Sequence, residues 1–182
     1  MIKGIVKRIK SHFQTPVEYA RSLGVKVGNH CYISTRGFSS EGYLIEIGDY
    51  VRIASNTTFY THGGIWPIRF IYNDPNVDIF GKIKVGSYTS IGANCMIMPG
   101  VTIGERCVVG GGSVVTKSVP DGCMVAGNPA RIIGHTDDFY QRAKKIDFGT
   151  KEMSHEKKRE VLLNAPDDHF ITKGYMKEPE KK

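Results

Sequence analysis

From Val85 to Pro120 the chain repeats every six residues, as VGSYTS, IGANCM, IMPGVT, IGERCV, VGGGSV and VTKSVP. The first position of each hexad holds Val85, Ile91, Ile97, Ile103, Val109 and Val115, and the fifth holds Thr89, Cys95, Val101, Cys107, Ser113 and Val119. Glycine fills the second position at 86, 92, 104 and 110. Upstream, IGDYVR, IASNTT and FYTHGG continue the pattern from Ile47, and VGNHCY at Val27 is an earlier copy. A period of six matches neither the 3.6 of a helix nor the 2 of a simple strand. It matches very short strands that end at turns where glycine permits unusual φ. Three hexads then make a coil of about eighteen residues, and stacked coils align their aliphatic first positions into one core. The high glycine content, 21 of 182 residues, agrees with a turn-rich β architecture.

The remaining composition excludes more than it identifies. Hydrophobic residues make up 40% and charged residues 24% of the chain, the balance of an ordinary globular protein. No apolar run is long enough to span a bilayer, and the opening MIKGIVKRIKSHF lacks the features of a secretory signal. The four cysteines, Cys31, Cys95, Cys107 and Cys123, form no CxxC pair. Three of them take the fifth position of a hexad and are expected to be small buried hydrophobes in a reducing, cytoplasmic setting. A net charge of +7 suits an anionic ligand, a polyanion or a membrane surface alike. No basic helix interleaved with aromatics is present, so nucleic acid is not an expected partner.

The pattern divides the chain into an N-terminal helical cap (1–22), a solenoid (23–134) and a C-terminal helical extension and tail (135–182). Residues 2–13 place Ile2, Ile5, Val6, Ile9 and Phe13 on one helical face with Lys3, Lys7, Arg8 and Lys10 around it. Such a helix covers the first coil or touches an anionic membrane, and covering is the expected role. TPVEYARSL reads as a second short helix, with Thr15 as N-cap and Pro16 at its first position. TDDFYQRAKKI, with Thr136 as cap, and MSHEKKREVLLNA read as two more helices. The tail from about Lys173 is expected to be solvated.

The rhythm breaks once inside the solenoid. Counting from Ile47 gives Ile53, Phe59 and Ile65, after which regular hexads resume only at Val85. Residues 65–84, IWPIRFIYNDPNVDIFGKIK, are therefore an inserted loop about one coil long. Trp66, Phe70, Tyr72 and Phe80 could stack on a sugar, and Arg69 could hold a carboxylate or phosphate. The alternative is that they pack the loop on its own coil or on a neighbouring subunit. Immediately before the insertion stands His62, fourth in its hexad and so directed away from the aliphatic core.

The hexads, above all IMPGVTIGERCVVGGGSVVTKSVPDGCMVAGNPARII, resemble the hexapeptide-repeat acyltransferase superfamily. IGDYVRIASNTTFYTHGG resembles in particular the sugar and polysaccharide O-acetyltransferases of the galactoside and maltose acetyltransferase group. The resemblance covers about residues 23–134. It implies a mainly β fold, a left-handed parallel β-helix with N-terminal and C-terminal helices, assembled as a homotrimer with its donor groove between adjacent subunits. It also implies acetyl-CoA as acyl donor, direct transfer to a hydroxyl, and His62 as general base. Chemistry agrees with the last point: a sugar hydroxyl is a poor nucleophile until deprotonated, and imidazole, with a reference pKa of about 6.5, suits that task. Carried over by position, Ala93, Gly111, Thr116, Lys117 and Arg131 hold the cofactor, while Trp66 and Arg69 in the loop are candidates for acceptor binding. Ala93 stands where the family often has a small polar residue, and Gly134 replaces a second basic residue seen in some members. A related β-helix family binds zinc through three histidines; His30, His12, His135, His155 and His169 offer no matching spacing, so no metal is expected. Within residues 34–44, Arg36 and Glu41 could contact an acceptor, although a surface role is the plainer reading of each. The expected function is acetyl-CoA-dependent O-acetylation of a sugar, nucleotide-sugar or glycan precursor. The alternatives are acetylation of serine, an amino sugar or an antibiotic, and a β-helix scaffold without activity.

Overall fold

The computed structural model describes residues 14–176, so the helix expected over residues 2–13, with His12, and the end of the tail lie outside the described residues. Two compact units are present, one ending at Thr136 and the other beginning at Asp137.

The first unit is built from strands of mostly two or three residues. β1 (Lys26–Val27), β2 (Tyr32–Ile33) and β3 (Gly37–Phe38) are followed by β4 (Ile45–Ile47), β5 (Arg52–Ile53) and β6 (Thr58–Phe59). After the inserted loop come β7 (Ile83–Val85), β8 (Ser90–Ile91), β9 (Met96–Ile97), β10 (Thr102–Ile103), β11 (Val108–Val109) and β12 (Val114–Val115). Each strand pairs with the one three places later: β1-β4-β7-β10 form one parallel sheet, β2-β5-β8-β11 a second and β3-β6-β9-β12 a third. The chain thus visits three sheets in turn and returns one strand higher. This mainly β, parallel arrangement is consistent with a β-helix. The expected eighteen-residue spacing is seen where Ile103 pairs with Val85, Val109 with Ile91 and Val115 with Ile97. At the far end β13 (Cys123–Gly127) stacks in parallel on β11, and β14 (Ala130–His135) folds back against it as an antiparallel partner.

The hexad positions account for the core. Except for Ile65, which leaves with the inserted loop and is half-buried, every first-position side chain from Ile47 to Val115 is at most 3% exposed, including Phe59, which fills the place of an aliphatic residue. Each such side chain contributes about 1.5–3 kcal/mol by leaving water. Fifth-position side chains from Val51 to Val119, outside the loop, are buried as well, whereas Cys31, expected to be buried, is half-exposed; several also make bonds between successive strands. Thr57 Oγ1 donates to the Gly92 carbonyl at 2.7 Å and Thr89 Oγ1 to the Gly104 carbonyl at 2.8 Å. Cys95 and Cys107 direct their thiols at the carbonyls of Gly110 and Pro120 at 3.2 and 3.1 Å. The cysteines are therefore weak donors between coils as well as small hydrophobes. Among the described residues, no buried side-chain nitrogen or oxygen lacks a partner, as the cost of an unpaired buried polar group requires.

The turns differ from the sequence expectation. Positive φ falls on the fourth residue of the hexads, at His30, Tyr50, Asn56, Tyr88, Asn94, Gly100, Arg106 and Gly112, and not on the second-position glycines. Those glycines serve packing instead. A Cβ at Gly92 would lie 2.5 Å from the amide nitrogen of Gly111 on the next coil.

The helix α1 (Pro16–Ser22) begins as expected, with Thr15 and Glu18 forming a reciprocal capping box and Pro16 in the first turn. It buries Ala20 in the same core cluster as Val25 and Ile33, so this segment covers the first coil. Arg36 belongs to this junction: its guanidinium lies over the Tyr19 ring at 5.0 Å and donates to the Gln14 carbonyl. Among the described residues no helix is long and apolar enough to cross a membrane.

The helix α3 (Thr136–Lys145) follows the loop helix introduced below and begins at the boundary of the second unit. Thr136 does not cap it as expected; it is the first helical residue, and its hydroxyl donates to the carbonyls of Arg106 and Gly122 at 2.6 and 3.1 Å. In the second unit α4 (His155–Leu163) is capped by Ser154, and Phe148 packs against the rings of His169 and Phe170.

Candidate active site

The site begins where a turn is missing. His62 occupies the fourth position of its hexad, but it stays extended and forms an antiparallel bridge with Phe80. The Gly81 amide then donates to the Thr61 carbonyl at 2.8 Å. These two contacts pinch the inserted loop shut at its base. The surplus is twenty residues, since Val85 pairs with Ile47 across thirty-eight positions in place of eighteen. Its length is as expected, but its placement is not: Ile83 and Lys84 already pair with Ile45 and Glu46 in β7, so the excursion lies between His62 and Gly81. Gly81 is required here. A Cβ would strike the Gly100 amide nitrogen and lie 2.6 Å from the Pro99 carbonyl carbon. Gly81→Ala is therefore expected to displace the returning strand and lower the melting temperature measurably, which a thermal melt monitored by circular dichroism checks.

His62 has a partner that the sequence did not single out for this role. Its Nδ1 lies 2.8 Å from Glu41 Oε2 and 3.4 Å from Ser39 Oγ. A carboxylate only accepts, so the ring proton resides on Nδ1 and Nε2 is left as the basic nitrogen. Glu41 is itself held on both oxygens, by Ser40 Oγ at 2.6 Å and Thr61 Oγ1 at 2.7 Å. Hydrogen bonds from Ser40, Thr61 and His62, in that order, lower its pKa from 4.5 to about 2, against a small opposing effect of burial. The carboxylate is thus fixed and ionised beside an imidazole whose side chain is 44% exposed. This arrangement can orient a base toward a solvent-reachable hydroxyl.

The loop carries the short helix α2 (Trp66–Ile71). Trp66 and Phe70 meet edge to face at 5.0 Å and remain exposed, as do Ile71 and Tyr72. Phe80 sets its ring against His62 at 6.3 Å, so the loop does reach the imidazole. Arg69 has a different engagement. Its Nε donates to the Val77 carbonyl at 2.6 Å and its Nη2 pairs with Asp78 at 3.1 Å. These contacts tie α2 to the descending limb of the loop.

The residues on the donor side fall into two groups. Ala93 and Gly111 are neighbours on successive coils at the end of the second sheet, where the Gly112 amide donates to the Ala93 carbonyl at 2.8 Å. A Cβ on Gly111 would lie 3.2 Å from that carbonyl oxygen, so small residues keep this edge open. Thr116 and Lys117 follow β12 at the end of the third sheet. There Lys117 and Arg131, fourteen positions apart, line a groove of about 390 Å³ together with Val115, Ser118, Val119, Val125, Ala130 and Ile132. Phe59 pairs with Ile97 and Ile97 with Val115, so His62 and Lys117 leave the same end of that sheet. Two strand spacings separate those levels, about 10 Å.

Comparison with known proteins places this geometry in context. Residues 82–117 match the model of the bacterial transferase hexapeptide (six repeats) family. Protein CapG of Staphylococcus aureus is 44% identical over 148 residues, which cover 79% of this chain and 85% of that protein. The galactoside O-acetyltransferase of Escherichia coli K12 is 32% identical over 138 residues, covering 74% of this chain and 67% of the enzyme. A hexapeptide-repeat acetyltransferase of Vibrio cholerae, solved with acetyl coenzyme A, superposes with a TM-score of 0.51 at 32% identity. That match covers 62% of this chain and 61% of the Vibrio chain.

Proposed function

Because this chain belongs to the bacterial transferase hexapeptide family and is an acyltransferase, we propose that it transfers an acetyl group from acetyl-CoA to a hydroxyl of a sugar, nucleotide sugar or glycan precursor. The observation that carries this reading is the Glu41–His62 pair at 2.8 Å, set at the mouth of an aromatic-bearing loop.

The residues present suit a CoA ester. Ala93 and Gly111 leave a small-residue edge for an extended pantetheine arm, and Lys117 and Arg131 supply positive charge in one groove for the nucleotide phosphates. When bound, the donor supplies an activated acyl thioester. On the acceptor side, His62 Nε2 accepts the proton of the attacking hydroxyl, and Glu41 stabilises the imidazolium through Nδ1. The same imidazolium is the acid that returns the proton to the departing thiolate, so no covalent acyl-enzyme is required. Trp66 and its neighbours form the acceptor wall, with Arg69 holding that wall in shape.

This reading includes a trimeric, left-handed β-helix of the family kind, and the two donor-side groups bear on how it assembles. They leave different sheet ends of one chain, so a donor touching all five residues is best accommodated between adjacent copies.

The test is release of free thiol from acetyl-CoA with a panel of sugars, nucleotide sugars, serine and chloramphenicol. Turnover with a sugar or nucleotide sugar is the expected result; turnover confined to serine or chloramphenicol would replace the acceptor class, and none at all would favour a scaffold. In the same assay, Lys117→Ala/Arg131→Ala should raise KM for acetyl-CoA about tenfold or more, the loss expected for charge-assisted phosphate contacts. An unchanged KM would remove both residues from the donor site.

A further inference from the structure

A second basic groove adjoins the site, and nothing described so far uses it. It has a volume of about 170 Å³ and is lined by Lys26, Tyr43, Leu44, Ile45, Glu46, Lys82, Ile83 and Lys84. Its floor is the first sheet. Lys26, Glu46 and Lys84 stand at one level on β1, β4 and β7, where alternation turns all three outward while Ile45, Ile47, Ile83 and Val85 face the core. Lys82, two residues before Lys84, shares that outward side. Three ammonium groups therefore face one carboxylate. Glu46 lies 3.9 Å from Lys26, and among the described residues neither Lys82 nor Lys84 has a carboxylate within ion-pair distance. A groove with two uncommitted cations attracts an anion, and two cations one strand-pleat apart suit two linked phosphates better than a single carboxylate.

Its position relates it to the reacting end of the site. Tyr43 follows Glu41 by two residues, and Lys82 follows Phe80, the bridge partner of His62, by two. Two extended residues span at most about 7 Å, and bridged residues lie about 5 Å apart. The groove is thus within the reach of a sugar whose hydroxyl is at His62. It is also separate from the Lys117–Arg131 groove, which forms at the other end of the solenoid from residues of β12 to β14.

We infer that the groove of Lys26, Lys82 and Lys84 binds the diphosphate of the acceptor, so that the sugar presented to His62 is a glycosyl diphosphate ester and not a free saccharide. The inference rests on the acyl-transfer reading above. A nucleoside or a lipid could carry the diphosphate, and the shared chemistry is what the lysines recognise.

The test is titration calorimetry on the full chain with CoA at saturation, which fills the donor groove. Inorganic pyrophosphate is the first probe, with UDP and geranyl diphosphate as the others. The wild type should bind pyrophosphate. Lys82→Ala/Lys84→Ala should weaken that binding about 10- to 100-fold, as expected for two lost charge-assisted contacts. Glu46→Gln, which removes the carboxylate that lines the groove, should tighten it several-fold. Lys82→Gln/Lys84→Gln, equal in loss and in melting temperature, separates lost charge from damage to the fold. Tighter binding of UDP supports a nucleotide-linked acceptor, tighter binding of geranyl diphosphate a lipid-linked one, and equal binding recognition of the diphosphate alone. No binding by the wild type, or equal binding by the lysine variants, would overturn the inference. If the lysines bind pyrophosphate and no sugar is acetylated, the groove stands and the acyl-acceptor reading falls.

Discussion

His62→Ala is expected to lower kcat by about 10²- to 10⁴-fold, the range for loss of a general base, while leaving CoA binding intact. The reason is geometric. The imidazole stands at the base of the loop, whereas the donor-side residues lie at least one coil higher, from Ala93 onward. Removing the ring leaves the strand pairing of His62 unchanged, because the bridge to Phe80 is made by backbone. Steady-state turnover together with CoA titration checks both halves. Near-normal turnover would end the assignment of His62 as base, and a matching loss of CoA binding would mean that the ring serves the donor.

Glu41→Gln is the second large effect, expected to reduce kcat about 10- to 10³-fold with little change in KM for acetyl-CoA. A glutamine amide can donate to Nδ1, which would move the ring proton to Nε2 and disable the base, as loss of the orienting carboxylate does in hydrolytic triads. The split between kcat and KM distinguishes this positioning role from a structural one. Glu41 has its pKa lowered from 4.5 to about 2, so it stays ionised at neutral pH. Stability carries its own signature. A depressed carboxylate contributes stability that is complete above its unfolded pKa and lost as pH falls toward the folded one. Between about pH 4.5 and 2 the wild type should therefore lose more melting temperature than Glu41→Gln. Parallel melting curves would show that the Ser40, Thr61 and His62 bonds do not hold Glu41 as described.

Much of this was legible in the residues. The hexads name the buried positions one by one, and the structure buries all of them from Ile47 to Val115 but Ile65. The missing beat after Phe59 locates the loop to within a few residues. Misreadings arose where a residue type has two uses. The second-position glycines are small because the next coil lies against them, and positive φ went to Tyr50, Tyr88 and Arg106, which no propensity scale favours there. Tyr50 and Tyr88 stack at 5.1 Å, so a ladder of side chains along the corner offsets part of the backbone cost. Arg69, a candidate for acceptor binding, pairs with Asp78, nine positions on, a contact that the repeat does not encode.

By itself the sequence determined the period, hence the core, the three-sheet course of the chain and the one place where it departs. The repeat also set His62 facing outward at a break, and the family resemblance made it the candidate base. Only the tertiary structure decided what that histidine would touch. Glu41 is twenty-one residues away in an irregular turn, and Lys117 and Arg131 converge across a hairpin. Lys26, Lys82 and Lys84 gather on one sheet although a loop separates two of them from the third. Periodicity assigns each residue a face and a level. Which side chains from non-repeating segments meet there depends on how coils stack and where the chain re-enters them, and no local pattern encodes that.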